Sequence, residues 1–444
     1  DVLKKFAGKE IFEYFKALSN GKIRTAMKPQ YVDKIKNIYK GEARKLLKKI
    51  DERNAVEDFS KALDIDVRKE IEKMSGGELQ RLAILSTSIK NADIYFFDEP
   101  SSYLDIYQRL RVAKFLDELC KEAMVVVIEH DLAILDFLAT KIHLIYGEEG
   151  AYGVISNVRT NRNAINTYLD GYMKEENIRV RDWKIEFEVR PPRREWVGDE
   201  LISFDGIEKS YENFFLKVSK GRIRKGEVVG VVGPNAIGKT TFVKILSGEI
   251  KPTKGNIKKS VSISYKPQHI KLSGIVSQLF SDLKDDFFIA EIKNNLGIKS
   301  FYERDVDSLS GGELQRVAVA LALAKEADIY LIDEPSAYLD SNQRMICAKT
   351  IRRVIEKRNS CGMIVDHDVY FIDLVSDSLM VFSGTPSSEG YGYGPFDLRE
   401  GMNRFLSGVG ITFRRDNETN RPRINKPNSK LDREQKEKGE YYYL

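Results

Sequence analysis

The sequence predicts an α/β fold in which one phosphate-binding type of domain occurs twice in tandem. The apolar run 228–232 leads into the glycine-rich stretch Gly233–Thr241 (GPNAIGKTT), and a helical pattern follows. That order of strand, loop and helix is the context in which the motif G-x-x-x-x-G-K-[ST] binds phosphate. In addition, residues 74–109 recur as residues 309–344, with 22 of the 36 positions identical. A repeat of this length is the duplication of a whole domain rather than a short solenoid period.

Length and composition are typical of a globular protein with two to four domains, since the chain has 444 residues, of which 42% are hydrophobic and 31% charged. The sequence contains no signal peptide and no apolar run of about 18 residues, so no membrane span is predicted. Cys120, Cys347 and Cys361 lack metal-ligand spacing, which favours a reducing compartment. The net charge of +5 permits an acidic partner without requiring one.

The first domain is predicted over residues 1–155. Residues 1–18 have the pattern of one amphipathic helix, and a strand leading to Gln30 follows. Residues 1–29 contain no G-x-x-x-x-G-K-[ST], so this copy lacks a phosphate cradle of its own, and the chain starts at Asp1 rather than at Met. Three explanations stay open: the missing part lies on another polypeptide, the sequence is truncated, or the domain has lost its site.

A linker is predicted over residues 156–198, with a break at Pro191–Arg194, and the complete second domain over residues 199–395. The tail, residues 396–444, has eleven Lys/Arg against eight Asp/Glu and lacks the apolar periodicity of a domain. Its densest basic part could contact phosphates or clamp the two domains, and its last four residues could be docked or disordered. The densest basic part comprises Arg414, Arg415, Arg421, Arg423 and Lys426.

The glycine-rich loop of the second domain has the residue types that hold a nucleoside triphosphate. Its glycines let backbone N–H groups turn toward phosphate oxygens, and the N-terminus of the following helix adds partial positive charge. Lys239 would reach the β- and γ-phosphates, and Thr240 would place its hydroxyl on Mg²⁺. The predicted nucleotide-binding residues of the loop are Gly233, Pro234, Asn235, Gly238, Lys239, Thr240 and Thr241.

Two further motifs occur in both copies. In the second copy, Ser310-Gly311-Gly312 opens an apolar-faced helix, and such a helix start presents free N–H groups for a γ-phosphate. The apolar run 329–332 delivers Asp333 and Glu334 to the C-terminal end of a strand, where open α/β sheets bind ligands. The signature serine and the aspartate are 23 residues apart in both copies, which supports a shared architecture.

The side chains expected at that strand end have the chemistry of phosphate hydrolysis. Asp333 suits Mg²⁺, together with Thr240 and Gln268. Glu334 suits general-base or water-orienting work. His367 could sense the γ-phosphate, and Gln268 could couple the metal to the attacking water. A single acidic pair is often only a cap and a single histidine only a core residue, but the ordered set occurs twice.

An aromatic residue that stacks on adenine is expected just before the loop. Tyr211 lies 28 residues before Lys239 and is a candidate, while Phe214 and Phe215 compete for the role. A purely structural core aromatic is an equally good interpretation.

These motifs resemble those of the ABC-type ATPases, whose two RecA-like nucleotide-binding domains each carry a helical signature lobe and pack head to tail. The resemblance implies Mg²⁺ and an ATP sandwiched between the P-loop of one domain and the signature of the other, with the D-loop residue Asp105 at the same seam. The signature facing Lys239 would comprise Ser75, Gly76, Gly77 and Glu78. The incomplete first site would comprise Gln30, Asp98, Glu99, His130, Ser310, Gly311, Gly312 and Glu313.

A narrower resemblance rests on the signature glutamates, on the D-loops Ser-Ser-Tyr-Leu-Asp and Ser-Ala-Tyr-Leu-Asp, and on the tail from residue 410 to Tyr-Tyr-Tyr-Leu. Together these resemble the E subfamily of ABC ATPases, the archaeal and eukaryotic ribosome-recycling factors also called RNase L inhibitors. In that family residues 156–195 and 396–444 correspond to two hinges. The family also carries an N-terminal domain with [4Fe–4S] clusters, whose cysteines this sequence does not contain, so no iron–sulfur cluster is expected in this chain.

The resemblance implies a cytoplasmic ATP hydrolase in which ATP-dependent closure of the two domains splits post-termination ribosomes. The expected partners are the ribosome, through its small subunit and ribosomal RNA, a release-factor-like protein, and a separate N-terminal fragment if another chain supplies the missing loop. No membrane partner is expected. Two alternatives stay open: an ATP-gated module that binds ribosomes or nucleic acid with little turnover, and the ATPase motor of a transporter.

Overall fold

The chain forms two compact units, residues 1–139 and residues 140–444. A computed structural model describes residues 2–32, 34–148, 151–181, 183–187, 199–259, 261–282 and 286–442. The break predicted at Pro191–Arg194 therefore lies outside the described residues. The division after Ala139 precedes the predicted end of the first domain at residue 155, because residues 141–160 pair among themselves as short strands. The predicted domain boundaries stay predictions.

The first unit contains a three-stranded parallel sheet in the order β1-β2-β3. Its strands are β1 (Thr25–Lys28), β2 (Ile94–Asp98) and β3 (Met124–Ile128). Its helices are α1 (Val2–Lys5), α2 (Ile11–Ser19), α3 (Ile35–Ile38), α4 (Ala43–Ile50), α5 (Val56–Ala62), α6 (Gly76–Ser88), α7 (Ile106–Leu119) and α8 (Leu132–Leu138). Helices α4, α5 and α6 share one apolar core with the inner face of β2.

The prediction of one continuous helix over residues 1–18 is wrong. The structure has two helices, α1 and α2, separated by a turn in which Gly8 adopts a φ of +80°. A left-handed residue cannot continue an α-helix, and glycine adopts that conformation without a steric penalty. The apolar periodicity of residues 2–18 therefore describes two short helices that pack on each other through Phe6 and Phe15.

Strand β3 lies at the edge of the sheet in the first unit. Its residues Met124, Val126 and Ile128 are 62%, 38% and 44% exposed. The corresponding strand of the second unit lies between two neighbours and is buried throughout. The neighbour on the side that is open in the first unit is the strand that leads into the glycine-rich loop, and the described part of the first unit contains no such strand.

The second unit is organised around a ten-stranded mixed sheet with the order β12-β10-β11-β19-β18-β13-β17-β16-β15, to which β14 adds by pairing with β10. Its strands are β10 (Glu200–Ser210), β11 (Phe215–Val218), β12 (Gly221–Arg224), β13 (Val228–Val232), β14 (Lys254–Lys259), β15 (Ile263–Lys266), β16 (Ile329–Asp333), β17 (Cys361–Val365), β18 (Ser378–Thr385) and β19 (Glu389–Asp397). The short strands outside this sheet are β4 (Lys141–Ile142), β5 (Ile145–Glu148), β6 (Tyr152–Ile155), β7 (Arg159–Thr160), β8 (Tyr172–Met173), β9 (Ile178–Arg179), β20 (Phe413–Arg415) and β21 (Pro422–Ile424).

Helices of the second unit lie on both faces of this sheet and beside the short strands and the tail hairpin. They are α9 (Asn161–Asp170), α10 (Lys239–Ser247), α11 (Val276–Leu279), α12 (Gly311–Ala324), α13 (Ser341–Lys357), α14 (Val369–Val375), α15 (Leu398–Val409) and α16 (Lys430–Lys438), with a π-helical segment at Phe288–Lys293. Because side chains alternate along a strand, Tyr330 and Ile332 of β16 enter one core and Ile329 and Leu331 enter the other. This burial on both faces explains the continuous apolar runs that predict β13 and β16.

The tail is more ordered than its composition predicts. Helix α15 buries Met402, Phe405 and Leu406 and packs on β18, while β20 and β21 form a hairpin followed by α16. Tyr442 is fully buried, so this residue of the terminal tyrosine run is docked; residues 443–444 lie outside the described range.

Candidate functional site

The glycine-rich loop connects β13 to α10, as the sequence predicts, and α10 begins at Lys239, two residues earlier than the helical pattern indicates. Gly238 precedes it with a φ of +98°, a conformation that glycine adopts readily. The Lys239 ammonium is buried and donates hydrogen bonds to the carbonyl oxygens of Gly233 (2.9 Å) and Pro234 (2.5 Å). The Lys239 ammonium therefore lies inside the loop in which it is predicted to bind the β- and γ-phosphates.

Asp333 ends β16 with its side chain completely buried. Within the part of the chain that the structure describes, neither carboxylate oxygen reaches hydrogen-bonding geometry. Burial raises the pKa of Asp333 to about 6, although the nearby Thr240 hydroxyl acts to lower it. A buried carboxylate without partners is costly, on the order of 1–3 kcal/mol or more. The orphaned oxygens beside Thr240 therefore fit a divalent cation, and Mg²⁺ commonly takes only one or two protein carboxylates plus substrate phosphates.

Glu334 follows in a left-handed conformation, with a φ of +49°. Its Oε1 accepts a hydrogen bond from Gln268 Nε2 at 2.9 Å and lies 3.5 Å from His367 Nε2. Burial acts to raise the pKa of Glu334, but His367, Gln268 and Lys239 outweigh it and hold the pKa at about 2. The structure thus brings together the three residues predicted to be catalytic, with the glutamate ionised.

Two polar residues that the sequence interpretation missed hold this strand end in place. Lys266 is buried and donates from Nζ to the carbonyl oxygens of Asp333 (2.7 Å) and Glu334 (3.2 Å). Gln315 Nε2 donates to the same Glu334 carbonyl at 2.6 Å. The signal was present in the sequence, because Lys-Pro-Gln precedes the site in both copies and Gln315 has its counterpart in the repeat.

A further carboxylate connects the D-loop to the histidine. Asp366 Oδ1 accepts hydrogen bonds from the Ser336 hydroxyl at 2.7 Å and from the His367 backbone N–H at 2.7 Å. Its Oδ2 accepts from the Ser336 N–H at 3.0 Å. The start of the D-loop and the predicted γ-phosphate sensor are therefore held by one buried side chain.

The signature motifs form helix N-terminal caps. The Ser310 hydroxyl accepts from the Glu313 N–H, and the Glu313 carboxylate accepts from the Ser310 N–H, which is a capping box. Ser75 and Glu78 do the same in the first unit, where Lys69 Nζ also lies 2.8 Å from the Glu78 carboxylate. The signature glutamates are thus engaged within their own domain, so the contribution of Glu78 to nucleotide binding would be through the cap.

Close approach of the D-loop explains the second signature glycine. A Cβ at Gly312 would lie 2.9 Å from the Tyr338 carbonyl oxygen, and a Cβ at Gly77 would lie 3.1 Å from that of Tyr103. Side chains at these positions would push the D-loop away. The predicted pairing of Ser75–Glu78 with the P-loop joins the two compact units and stays a prediction.

The first unit repeats the acidic cluster. Glu99 has a φ of +44°, its Oε1 accepts from Gln30 Nε2 at 2.6 Å, and His130 Nε2 lies 3.4 Å away. Lys28 Nζ donates to the Asp98 carbonyl at 2.6 Å, as Lys266 does in the second unit. The interaction with His130 lowers the pKa of Glu99 despite its burial. The same arrangement of glutamate, glutamine and histidine is therefore built in both copies.

The aromatic candidates differ in position. Tyr211 is 46% exposed, with Lys209 Nζ 5.2 Å from its ring centre. Phe214 is half-buried against the loop, since a Cβ at Gly238 would lie 3.1 Å from it, and Phe215 is half-buried in β11. The adenine-stacking role of Tyr211 stays a prediction.

The basic cluster of the tail is a clamp within the second unit rather than a free phosphate-binding surface. Arg415 pairs with Asp373 at 2.8 Å, and Asp373 also accepts from the buried Tyr442 hydroxyl. Arg421 is completely buried and donates to the Tyr370 hydroxyl at 3.1 Å. The other pairs of this clamp are Arg414 with Asn425, Arg423 with Asp416, Arg162 with Asp416, and Arg421 with Asn166. Lys426 alone of the predicted cluster is exposed.

Two features are absent from the residues that the structure describes. No helix among them is long and apolar enough to cross a membrane. No group of three or more His, Cys, Asp or Glu side chains among them is arranged to hold a metal ion.

The sheet, the P-loop, the capped signature helices and the paired acidic clusters define an ABC-type ATPase with two tandem nucleotide-binding domains. The ABC transporter family model matches residues 6–102 and 216–337. Over its whole length the chain is 47% identical to an uncharacterized ABC transporter ATP-binding protein of Methanocaldococcus jannaschii, and the match covers 75% of that protein. It is 40% identical to ABC transporter E family member 1 of Arabidopsis thaliana, and this match covers 76% of that protein. The chain therefore belongs to the E family of ABC proteins and is an ATP hydrolase that uses ATP and Mg²⁺.

A solved structure agrees with this assignment over the full length. The chain superposes on an archaeal ribosome recycling factor, aABCE1, crystallised with the archaeal ribosomal stalk protein aP1. The TM-score is 0.94 at 50% sequence identity, and the match covers 100% of this chain and 88% of that one. The predicted fold class, two tandem α/β nucleotide-binding domains, is confirmed.

Proposed function

We propose that this chain uses ATP to recycle ribosomes, separating post-termination ribosomes into their subunits. The observation that carries the proposal is the complete hydrolytic cluster beside the P-loop of the second domain, in a chain that is 50% identical to an archaeal ribosome recycling factor. The ribosome, with its small subunit and RNA, and a release-factor-like protein are the partners that follow from this similarity. A cytoplasmic location follows from the same function, and any iron–sulfur chemistry would come from outside these residues.

The P-loop residues Gly233 to Thr241 would hold the triphosphate. Lys239 is bound to two loop carbonyls, and phosphate oxygens would replace these neutral acceptors with charged ones, which form stronger hydrogen bonds. Thr240, Gln268 and Asp333 would hold Mg²⁺, which supplies charge neutralisation on the phosphate oxygens. The pKa of Asp333 would fall when its orphaned oxygens gain a cation.

Glu334 would orient the attacking water rather than act as a strong base. Among the described residues, Gln268 and His367 both contact Oε1 of this carboxylate, which leaves Oε2 to accept a hydrogen bond from a water. A pKa of about 2 keeps the group ionised, but makes it a weak proton acceptor at neutral pH. Lys266 and Gln315, by holding the Glu334 carbonyl, fix the direction of this side chain.

Substitution of the glutamate tests the proposal. The Glu334→Gln variant keeps the shape of the side chain but loses its charge, so ATP turnover should fall roughly a hundredfold or more, while ATP stays bound. Glu326→Gln, at an exposed position of the same unit, is the matched control. Phosphate release and the conversion of 70S-type ribosomes to subunits are measured together. Turnover without any subunit separation by the unaltered chain would refute ribosome recycling, and undiminished turnover in Glu334→Gln would refute the role of Glu334.

A further inference from the structure

The segment after Gln30 in the first unit has an unusual charge. Residues 31–50 contain seven Lys/Arg and two Asp/Glu, whereas residues 269–288, which follow Gln268 in the second copy, contain two Lys/Arg and three Asp/Glu. Both segments lead from the glutamine toward the signature helix of their domain. The excess of positive charge is therefore particular to the first copy.

Helix α4 places this charge on one side. Ala43 and Leu47 are buried, and Leu46 and Ile50 pack on the same core. At 100° per residue, the four basic residues of the helix lie on the opposite side. Arg44 pairs with Glu57 of α5, whereas Lys45, Lys48 and Lys49 are exposed and form no ion pair with any described residue. The outer side of α4 is therefore a row of three unneutralised ammonium groups.

Further lysines precede α4 in the chain, in the turn before α3, in α3 and just after it. Lys34 and Lys40 are exposed and Lys36 is half-buried. Lys40 is partly compensated, because it lies near enough to Glu72 to contribute to the lowered pKa of that carboxyl. Tyr31, Ile38 and Tyr39, which are 66%, 68% and 44% exposed, lie among these lysines in the sequence. The lysine surface is defined here as Lys34, Lys36, Lys40, Lys45, Lys48 and Lys49.

We propose that the lysine surface binds the phosphate backbone of RNA. Lys45, Lys48 and Lys49, which form no ion pair with any described residue, offer repeated ammonium groups suited to neutralising successive phosphates, and the exposed rings of Tyr31 and Tyr39, which are near them in the sequence, offer stacking faces for unpaired bases. This inference deepens the proposed ribosome function, on which it rests, by assigning RNA contact to one side of the first domain. An acidic protein segment is the competing occupant, and it is less well matched to a surface whose charge is spread over two helices.

The test measures binding of a fluorescein-labelled RNA hairpin to the full chain by anisotropy at several KCl concentrations. The variant is Lys45→Ala/Lys48→Ala/Lys49→Ala, because alanine has the highest helix propensity and preserves α4. Loss of three phosphate contacts should reduce the slope of log Kd against log salt by about 2 to 3 and weaken binding at least about tenfold. The control is Lys271→Ala/Lys299→Ala/Lys325→Ala, three exposed lysines of the second unit with the same change in net charge.

Three outcomes decide the proposal. A reduced salt slope in the α4 variant, with the control unchanged and a Lys→Arg triple variant restored, supports it. Equal effects in the α4 variant and the control indicate diffuse attraction and overturn it. Loss of binding to small ribosomal subunits without loss of RNA binding assigns the surface to an acidic protein and also overturns it. Subunit separation by the unaltered chain is measured in parallel, so that failure of the ribosome function is seen independently of the RNA affinity.

Discussion

Replacement of Lys266 by methionine should separate activity from stability. The Lys266 ammonium is buried and donates to the carbonyl oxygens of Asp333 and Glu334. Methionine has a similar length and no charge, so the Asp333 carbonyl loses this donor at a cost of about 1–3 kcal/mol, whereas the Glu334 carbonyl keeps the hydrogen bond from Gln315. Burial lowers the pKa of Lys266 from 10.5 to about 8, which corresponds to about 3 kcal/mol of unfavourable burial that the variant removes. The two effects nearly cancel.

The expected result is therefore a small change in the free energy of unfolding, within about 2 kcal/mol, with a large loss of ATP turnover. Turnover should fall at least about tenfold, because Glu334 has a φ of +49° and is held there partly by this lysine. Urea unfolding and phosphate release measure the two quantities on the same preparation. Lys28→Met is the matched control, since Lys28 makes the same contacts in the first unit and its pKa is also lowered to about 8 by burial.

The pH dependence gives this prediction a second readout. In the folded chain Lys266 loses its proton near pH 8, whereas in the unfolded chain it does so near 10.5. Between these values the unfolded state binds more protons, so this lysine makes the free energy of unfolding rise with pH. In Lys266→Met the free energy of unfolding should therefore rise less between about pH 8 and pH 10.5 than in the unaltered chain. Full turnover in the variant, or destabilisation well beyond the range given above, would refute the assignment of Lys266 as the residue that positions Glu334.

Three further predictions concern the cation site, the tail and the pairing of the domains. Asp333→Asn should abolish Mg²⁺-dependent ATP turnover but stabilise the nucleotide-free chain at pH 7 by up to about 3 kcal/mol. Burial raises the pKa of Asp333 from 3.8 to about 6, so the free energy of unfolding of the unaltered chain falls as the pH rises through this range. Urea unfolding at pH 4 and pH 7 measures this difference. Arg415→Met should destabilise the chain by about 3–5 kcal/mol by leaving buried Asp373 without its cation, whereas Lys426→Met should have an effect within about 0.5 kcal/mol; denaturation at constant salt compares them. Ser75→Arg should lower ATP turnover, while nucleotide binding to the P-loop of the second domain stays measurable. Unchanged turnover would contradict the predicted pairing of the first signature with that P-loop.

The parts of the fold that could be predicted from the sequence are those set by local patterns. Strand β13, the glycine-rich loop and α10 are adjacent in the chain, and the run Val228–Val232 is apolar because both of its faces are buried. The signature helix α12 begins at its predicted glycine because Ser310 and Glu313 cap it within four residues. Such features depend on residues that are neighbours in the sequence, so a single sequence is enough to predict them.

The parts that could not be predicted depend on partners distant in sequence. The lysine before Pro267 looks like a solvent-exposed strand end until β15 is placed beside β16, where its ammonium lies under carbonyls 67 and 68 residues away. Arg415 of the tail could not be distinguished from part of a phosphate-binding run by counting charges, because its carboxylate partner Asp373 belongs to α14. The burial of a charge is a property of the fold, so composition alone leaves both interpretations open.

The two acidic clusters show why glutamate stands at a position that its backbone disfavours. A residue other than glycine in the left-handed region costs on the order of 1 kcal/mol or more, and both Glu99 and Glu334 adopt it, with φ values of +44° and +49°. Glycine or asparagine would relieve that cost in a position with a purely structural role. Instead, each copy keeps the glutamate, with a glutamine donor and a histidine within 3.5 Å of the same oxygen. The strain is therefore tolerated for the direction that it gives the carboxylate, and the first domain keeps the same contacts to its glutamate as the second.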